Sequence, residues 1–258
     1  MRFVFFQQSG KLADPQGSPV WALAGASIAA RHMRGLQRRL AGVNRAFRKP
    51  AEAPASSLSL CAPDLMRPRN AGTDWSRAYL TASLRVFLQL EVRTFLVVMD
   101  RRTAEEPVAE AAAVPFAWRV LLRSLGQHLA EERSYAMLVL PAGYPPLRRG
   151  LDAALAEASA APLAGMLAGT ATQDADLAPG MQMARFAATA ARRYFVDVAA
   201  LLAAQGELSP EQSAVASAYL GFVKKSTWQG RTPTDRGVLP RGFHYFWRRE
   251  KPAAPAAQ

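Results

Sequence analysis

The sequence has little cysteine, little lysine and no long apolar run near its start. Its one cysteine, Cys61, excludes an intramolecular disulfide and any zinc site built from cysteines. Residues 20–30, eleven residues without charge or proline, are too short to cross a bilayer. The first six residues are too short for the apolar core of a signal peptide. We therefore expect a soluble cytoplasmic protein.

Lysine is scarce although the chain is strongly basic. Five lysines and 27 arginines face 20 acidic residues, for a formal net charge of +12. Arginine binds phosphate through two parallel hydrogen bonds and stacks on bases, so the excess favours contact with nucleic acid. Abundant alanine, arginine and proline are equally typical of proteins from GC-rich genomes. The net charge alone therefore does not decide between contact with nucleic acid and genomic composition. Hydrophobic residues make up 50% of the chain, an ordinary globular balance that excludes wholesale disorder.

Periodicity along the chain predicts an α/β fold. Residues 2–7 and 20–28 are β-favouring apolar runs joined by a loop with Gly and Pro, and they predict an N-terminal hairpin. Further strands are expected at 57–61, 93–100, 135–140 and 163–167, and helices at 31–49, 74–90, 114–133, 146–158, 180–205 and 210–225. Strands that alternate with helices predict a mixed sheet, a hairpin first and then parallel strands, flanked by helices.

The helix predicted at 31–49 has two different faces. Its apolar residues recur at spacings of three and four, and they are Met33, Leu36, Leu40, Val43 and Phe47. A second stripe lies about 200° around the helix and consists of Arg31, Arg34, Arg38, Arg45 and Arg48, with no acid in the segment. A solvated face normally mixes charges of both signs, so we expect this one to bind phosphate groups or a partner.

The last segment, 226–258, lacks periodicity and predicts an extended basic tail after a domain at 1–205 and a helix within 206–225. Its arginines are interleaved with aromatics, so cations would follow a nucleic-acid backbone while rings stack on bases or fill a partner's pocket. The alternative is that the aromatics dock on the protein's own core. The residues expected to bind are Arg231, Arg236, Arg241, Phe243, Tyr245, Trp247, Arg248 and Arg249.

Two short motifs stand on this order of elements. Residues 6–10 read FQQSG at the end of the first strand, and residues 180–185 read GMQMAR in a late helix. The order and the motifs resemble the ribonuclease H-like proteins of the domain-of-unknown-function 3800 family. Its members end the first strand with Asp-Glu-Ser-Gly and carry Gly-Leu-Gln-Leu-Ala-Asp in the late helix. The resemblance covers about residues 1–200 and implies a ribonuclease H-like fold.

The resemblance also implies a metal-dependent nuclease centre, which the sequence lacks. Such nucleases hold two divalent cations about 3.5–4 Å apart between clustered carboxylates. Here Gln7 and Gln8 stand at the acidic positions of the first strand, Arg185 replaces the late aspartate, and one central strand ends in Pro141. Asp100 remains at the end of another strand, and one carboxylate cannot hold two metals. We expect no metal, no cofactor and no catalytic residue at these degenerate positions.

No other motif predicts chemistry. The chain has no G-x-S-x-G, P-loop or G-x-G-x-x-G sequence, so acyl transfer and nucleotide-dependent reactions have no support. His32, His128 and His244 do not have the spacing of metal ligands, and we expect them at the surface or hydrogen-bonded.

These patterns predict a catalytically inactive, bacterial, ribonuclease H-like subunit that binds RNA or DNA within a larger nucleoprotein complex. Arg185 would neutralise phosphates where the metals of active relatives sit, or would pair with Asp100. Two alternatives stay open. One is a protein–protein module whose arginine face meets an acidic partner. The other is a residual nuclease that uses Asp100 with Asp174 or Asp176.

Overall fold

The computed structural model describes residues 1–12, 20–47, 74–100, 110–158, 163, 166–174, 178–198, 209–230 and 241–246. These residues form a six-stranded sheet with helices on both faces. The elements are β1 (Arg2–Ser9), β2 (Val20–Ala29), α1 (Met33–Phe47), α2 (Asp74–Gln89), β3 (Arg93–Asp100), α3 (Glu110–Glu131), β4 (Ala136–Pro141), α4 (Pro145–Ala158), β5 (Leu167–Gln173), α5 (Pro179–Arg193), α6 (Pro210–Ser226) and β6 (Phe243–Phe246). The predicted α/β class is confirmed.

The strands lie in the order β5-β4-β1-β2-β3-β6. β1 and β2 form the predicted antiparallel hairpin, in which Ser9 lies opposite Ala22. β4 pairs parallel with β1, and β5 pairs parallel with β4, as expected. β3 is different because it joins the free edge of β2, which runs the other way, and this pairing is antiparallel. Of the six described strands, β2 alone runs against the rest, so the carboxyl ends of β1, β3, β4 and β5 share one edge of the sheet.

Apolar side chains of the strands alternate between two cores, because successive residues of a strand point to opposite faces. On the face that we call the α5 face, Phe5 and Val98 pack beneath α1, α2, α5 and α6. On the opposite face, which we call the α3 face, Val4 and Val97 pack beneath α3 and α4. No helix within the described ranges is both long and apolar enough to span a membrane.

Most predicted boundaries lie within a few residues of the observed ones, with three exceptions. α3 begins at Glu110, four residues earlier than expected, because the Ala-rich run before its apolar stripe favours helix. β5 begins at Leu167, where the strand was expected to end, and Leu163 is instead a buried contact on the α3 face. α5 ends at Arg193 and continues as a π-helical turn at Tyr194–Val198. The strand expected at 57–61 lies outside the described residues.

Part of the segment expected to be an extended tail belongs to the sheet. The Trp228 N–H donates to the Thr94 carbonyl at 3.0 Å, and the Trp228 side chain is buried on the α3 face. β6 then pairs parallel with β3, with Phe243 opposite Leu96. The tail prediction therefore does not hold for residues 226–230 and 241–246, because these aromatics supply apolar burial that a non-periodic sequence does not reveal.

α5 is buried along most of its length. Between Gly180 and Ala191, every side chain except that of Arg185 is buried. Gly180 allows the helix to approach β1 closely, because a Cβ at this position would overlap the Phe5 ring. The glycine of the late-helix motif is thus a packing requirement between α5 and the central strand.

Replacing Gly180 with alanine should destabilise the fold. The added Cβ meets the Phe5 ring, and neither a central strand nor a buried helix can move away without disturbing its other contacts. We expect the free energy of unfolding in urea to fall by about 1–3 kcal/mol. Gly35→Ala in α1 is the control, since a Cβ there meets nothing within 4 Å, and it should gain up to about 1 kcal/mol. Equal effects of the two substitutions would contradict this packing.

Candidate functional site

β1 carries its two glutamines to opposite faces of the sheet. Gln7 follows Phe5 on the α5 face and is buried, with 7% of its surface exposed. Gln8 lies on the α3 face, where its Oε1 accepts a hydrogen bond from the Trp21 indole N–H at 2.9 Å. Gln7 can therefore belong to a site beneath α5, whereas Gln8 cannot.

The neighbour of Gln7 on the next strand is Pro141. The parallel register of β1 and β4 places Phe5 opposite Val139, and two residues further along each strand come Gln7 and Pro141, both on the α5 face. Neighbouring strands lie about 4.8 Å apart, close enough for two side chains to share an ion. Proline has no side-chain oxygen, so this pair offers a cation one neutral amide.

Arg185 lies level with Gln7. Gly180 packs on Phe5, and Thr189 Oγ1 donates to Ser9 Oγ at 3.2 Å, so α5 runs alongside β1 in the same direction. Nine helical residues and four strand residues both span about 13 Å, which matches these two contacts. Measured from the contact of Gly180 with Phe5, Arg185 is five residues further along α5, or about 7.5 Å. Gln7 is two residues further along β1, or about 6.6 Å, so the two residues are at the same level.

A second arginine fixes the same side of α5 to the sheet. Arg185, Thr189 and Arg192 are spaced by four and three residues, so they share one side of the helix. Arg192 Nε donates to the Val20 carbonyl at 3.1 Å, and its Nη1 donates to Ser9 Oγ at 3.4 Å. The sequence reasoning did not single out Arg192, although its spacing of seven residues from Arg185 was the signal that would have found it.

Asp100 lies apart from this group. It is the last residue of β3 and pairs with Val20 of β2, so β2 separates its strand from β1. Gln7 pairs with Ala24, which is four residues further along β2 than Val20. Two strand spacings and four residues along the strand separate the two Cα atoms by about 16 Å. Asp100 and Gln7 therefore cannot ligate one metal ion.

The strand register and the helical rise thus place Gln7 and Pro141 on one face of the sheet and Arg185 level with Gln7, and we call these three residues the β1–β4–α5 site. Its side chains are an amide, an apolar ring and a cation, and none of them is an anionic ligand for a divalent metal. Among the described residues no group of three or more His, Cys, Asp or Glu side chains is placed to hold a metal ion.

α1 has the two faces that its sequence predicts. Leu36 and Leu40 are fully buried on the α5 face of the sheet. Arg34, Arg38 and Arg45 are exposed on the opposite side of the helix, and within the described part of the chain none of them pairs with a carboxylate. We call these three residues the α1 arginine face. Arg48, the fifth arginine of the predicted stripe, lies outside the described residues.

Arg31, the first residue of that stripe, is instead part of an ion pair. Its Nη2 lies 2.5 Å from Oε2 of Glu91, and His32 Nε2 lies 3.3 Å from the same oxygen. The hydrogen bonds of Glu91 with His32 and with Arg31 lower the pKa of its carboxyl group. Arg31 is therefore less available to a ligand than the α1 arginine face.

Few of the tail residues expected to bind are described. Phe243 is buried, with 5% exposed, and its ring stacks 5.9 Å from that of Phe195, so it belongs to the protein's own core and not to a binding surface. Arg241 is half-buried just before β6, and Tyr245 is a residue of β6. The remaining members lie outside the described residues: Arg231, Arg236, Trp247, Arg248 and Arg249.

The three histidines have different surroundings. His32 is in the surface ion pair with Glu91. His244 Nε2 lies 2.8 Å from Ser124 Oγ. His128 departs from the expectation, because it is 2% exposed and neither ring nitrogen has a hydrogen-bond partner in the described part of the protein. His128 is buried because it lies on the apolar side of α3, and the sequence alone did not show which side chains would surround it.

Comparison of the chain with models of known protein families and with curated proteins finds no match. The assignment of a function therefore depends on the residues themselves, and above all on the β1–β4–α5 site and the α1 arginine face.

Restoring two carboxylates at the β1–β4–α5 site should create a metal site. We expect the double variant Gln7→Asp/Arg185→Asp to bind Mn²⁺, because the two positions are level with each other, one on β1 and the other on α5. Mn²⁺ at about 100 times its dissociation constant would then stabilise the variant by about 2.7 kcal/mol in thermal unfolding.

Gln8→Asp/Arg185→Asp is the matched control, since Gln8 points to the α3 face. This control and the natural sequence should show no such stabilisation. Equal responses of the two double variants would contradict the placement of Arg185 over Gln7.

Proposed function

We propose that this chain is a catalytically inactive ribonuclease H-like protein that binds nucleic acid as a subunit of a larger nucleoprotein complex. The N-terminal hairpin and the parallel strands β4 and β5 beside β1 agree with the fold that the resemblance implies. The observation that carries the binding proposal is the α1 arginine face, three exposed cations with no carboxylate partner in the described structure.

The spacing of the α1 arginine face suits a chain of phosphates. Arg34 and Arg38 are one helical turn apart, and Arg45 lies about two turns further, so the three span about 16 Å. A nucleic-acid strand advances about 3.4 Å for each phosphate, so this span covers about five nucleotides. Arginine donates to phosphate in a bidentate geometry, and each arginine can therefore engage a separate phosphate group.

Three exposed arginines elsewhere contrast with this face. Arg77 pairs with Asp74 at 2.8 Å, and Arg119 pairs with Glu157 at 2.7 Å. Arg148 likewise pairs with Asp152, at 3.0 Å. These three charges are already matched by the protein's own acids, whereas the α1 arginine face sets three cations in one row on a single helix.

The β1–β4–α5 site supports the inactive part of the proposal. Two-metal cleavage needs carboxylates that bridge both cations. Gln7 and Pro141 occupy the positions where neighbouring strands could supply such carboxylates. Arg185 adds a positive charge at the same level along β1. A cation there repels a divalent metal, so the site disfavours two-metal cleavage.

Removing the α1 arginine face should weaken binding of a labelled single-stranded oligonucleotide. We expect the triple variant Arg34→Gln/Arg38→Gln/Arg45→Gln to bind at least about tenfold more weakly in fluorescence anisotropy. The slope of log K against log salt should become less negative by about 2, because each lost phosphate contact of a single strand contributes about 0.7.

The triple variant Arg77→Gln/Arg119→Gln/Arg148→Gln is the control, because it loses the same three charges from residues that the protein's own acids already pair. It should keep its affinity and its salt slope. The same loss in both variants would show that total charge, rather than the α1 arginine face, governs binding.

The two alternatives give different results in the same preparation. A protein–protein module would show no affinity for the oligonucleotide at low or moderate salt and would co-purify with an acidic protein after nuclease treatment. A residual nuclease would cut a labelled strand in Mn²⁺ and would lose that activity in Asp100→Asn. Either outcome would contradict the proposal.

A further inference from the structure

The segment after α6 crosses the edge of the sheet and covers part of the α3 face. It consists of residues 227–230 and 241–246, which we call the strap. Trp228 is buried, and both polar groups of its backbone are hydrogen-bonded. Its N–H donates to the Thr94 carbonyl at 3.0 Å, and its carbonyl accepts from the Gly242 N–H at 2.9 Å. The Leu96 N–H donates to the Gly242 carbonyl at 2.7 Å. The strap is thus attached to β3 by backbone hydrogen bonds and by the burial of Trp228 and Phe243.

The strap ends in a short edge strand of the described sheet. β6 has four residues and pairs with β3 alone among the described strands, whereas β3 is bonded on both sides, by β2 and by β6. Short edge elements open at a lower free energy than the centre of a fold.

A histidine without hydrogen bonds lies beneath the strap. The His128 ring is 5.9 Å from that of Trp228 and 5.4 Å from that of Phe95. Burial lowers the pKa of His128 to about 3, and the like charges of Arg2 and Arg93 act in the same direction. A proton on His128 would be a buried charge with no acceptor, which is a strongly unfavourable state.

A second histidine lies in the strap itself. His244 Nε2 contacts Ser124 Oγ of α3, one helical turn before His128. Burial lowers the pKa of His244, nearby Arg123 adds to this effect, and a hydrogen bond to the backbone of Arg241 opposes it. The charged groups that face His128, Arg2 and Arg93, are both cations, so neither compensates a proton on its ring, whereas His244 has hydrogen-bond partners in Ser124 and the Arg241 backbone.

We propose that protonation of His128 releases the strap from the sheet while the rest of the fold stays intact. Once the strap leaves, Trp228 no longer covers His128, and water can solvate the imidazolium. Release also frees the edge of β3 and exposes Phe243 together with Trp228. The protein would then present an open sheet edge along β3.

The sign and size of the effect follow from His128. Because burial depresses the pKa of His128 in the closed state, the neutral ring favours the closed strap above pH 6.5. This preference is lost as the pH falls from 6.5 toward 3. With pKa values of 6.5 when solvated and about 3 when buried, lowering the pH from 7.5 to 5 favours the open strap by about thirtyfold.

Hydrogen exchange with mass spectrometry tests the proposal on the full chain. Protection factors, which remove the intrinsic pH dependence of exchange, are compared at pH 7.5 and pH 5. We expect protection in peptides from residues 227–246 to fall by about thirtyfold or more, while protection in β4 falls by less than about threefold.

Two variants separate this mechanism from general acid destabilisation. His128→Leu should fold well, because it replaces an unpaired buried polar ring with an apolar side chain. Between pH 7.5 and pH 5, the fall in strap protection should be about thirtyfold smaller in this variant than in the natural sequence. His32→Gln removes a surface histidine that does not contact Trp228 or His128 in the described structure, and it should leave the fall unchanged. Equal loss of protection in the strap and β4, an unchanged strap at pH 5, or a full response in His128→Leu would each overturn the proposal.

Discussion

The close packing of α5 on β1 is the constraint on which the rest of this structure depends. Gly180 lets the helix lie on the Phe5 ring, and the burial of nearly every following side chain prevents the helix from rotating. Thr189 and Arg192 then fix the far end to Ser9 at the carboxyl edge of the sheet. Because both ends are held, Arg185, the one half-buried residue between them, has a set level along β1. The chemistry of the candidate site follows from this geometry and from the residues that occupy it.

Arginine has at least three roles in this protein, and the net charge does not distinguish them. Arg2 is buried and donates to Ser27 Oγ at 2.7 Å and to the backbone carbonyls of Ser27 and Glu91, each at 3.2 Å, and burial lowers its pKa. It joins β1 to β2 and to the turn before β3, which is a structural function. Arg119 and Arg148 balance acids on the helices of the α3 face. The α1 arginine face has neither kind of partner among the described residues, and this difference is why we propose it as a binding surface.

The sequence revealed patterns that one element carries by itself. The hairpin and the two faces of α1 depend on alternation and on helical spacing within single segments, and both were found where predicted. The presence of Gln7 in place of an acidic metal ligand was likewise visible within one motif. Features that depend on two distant segments were not visible: β6 was read as an extended tail, and His128 was expected to be satisfied. Trp228 explains both, because its ring covers His128 and its backbone begins the path to β6, over a sequence separation of 100 residues from His128.

The central claim is that unpaired arginines on α1 contact a nucleic-acid backbone while acid-paired arginines elsewhere do not. Modification of arginine by phenylglyoxal, read by mass spectrometry with and without a bound single-stranded oligonucleotide, measures this directly without altering the sequence. The account predicts that the oligonucleotide protects Arg34, Arg38 and Arg45 and leaves the reactivity of Arg119 and Arg148 unchanged. Equal protection of both groups, or binding of the oligonucleotide with α1 fully reactive, would contradict it.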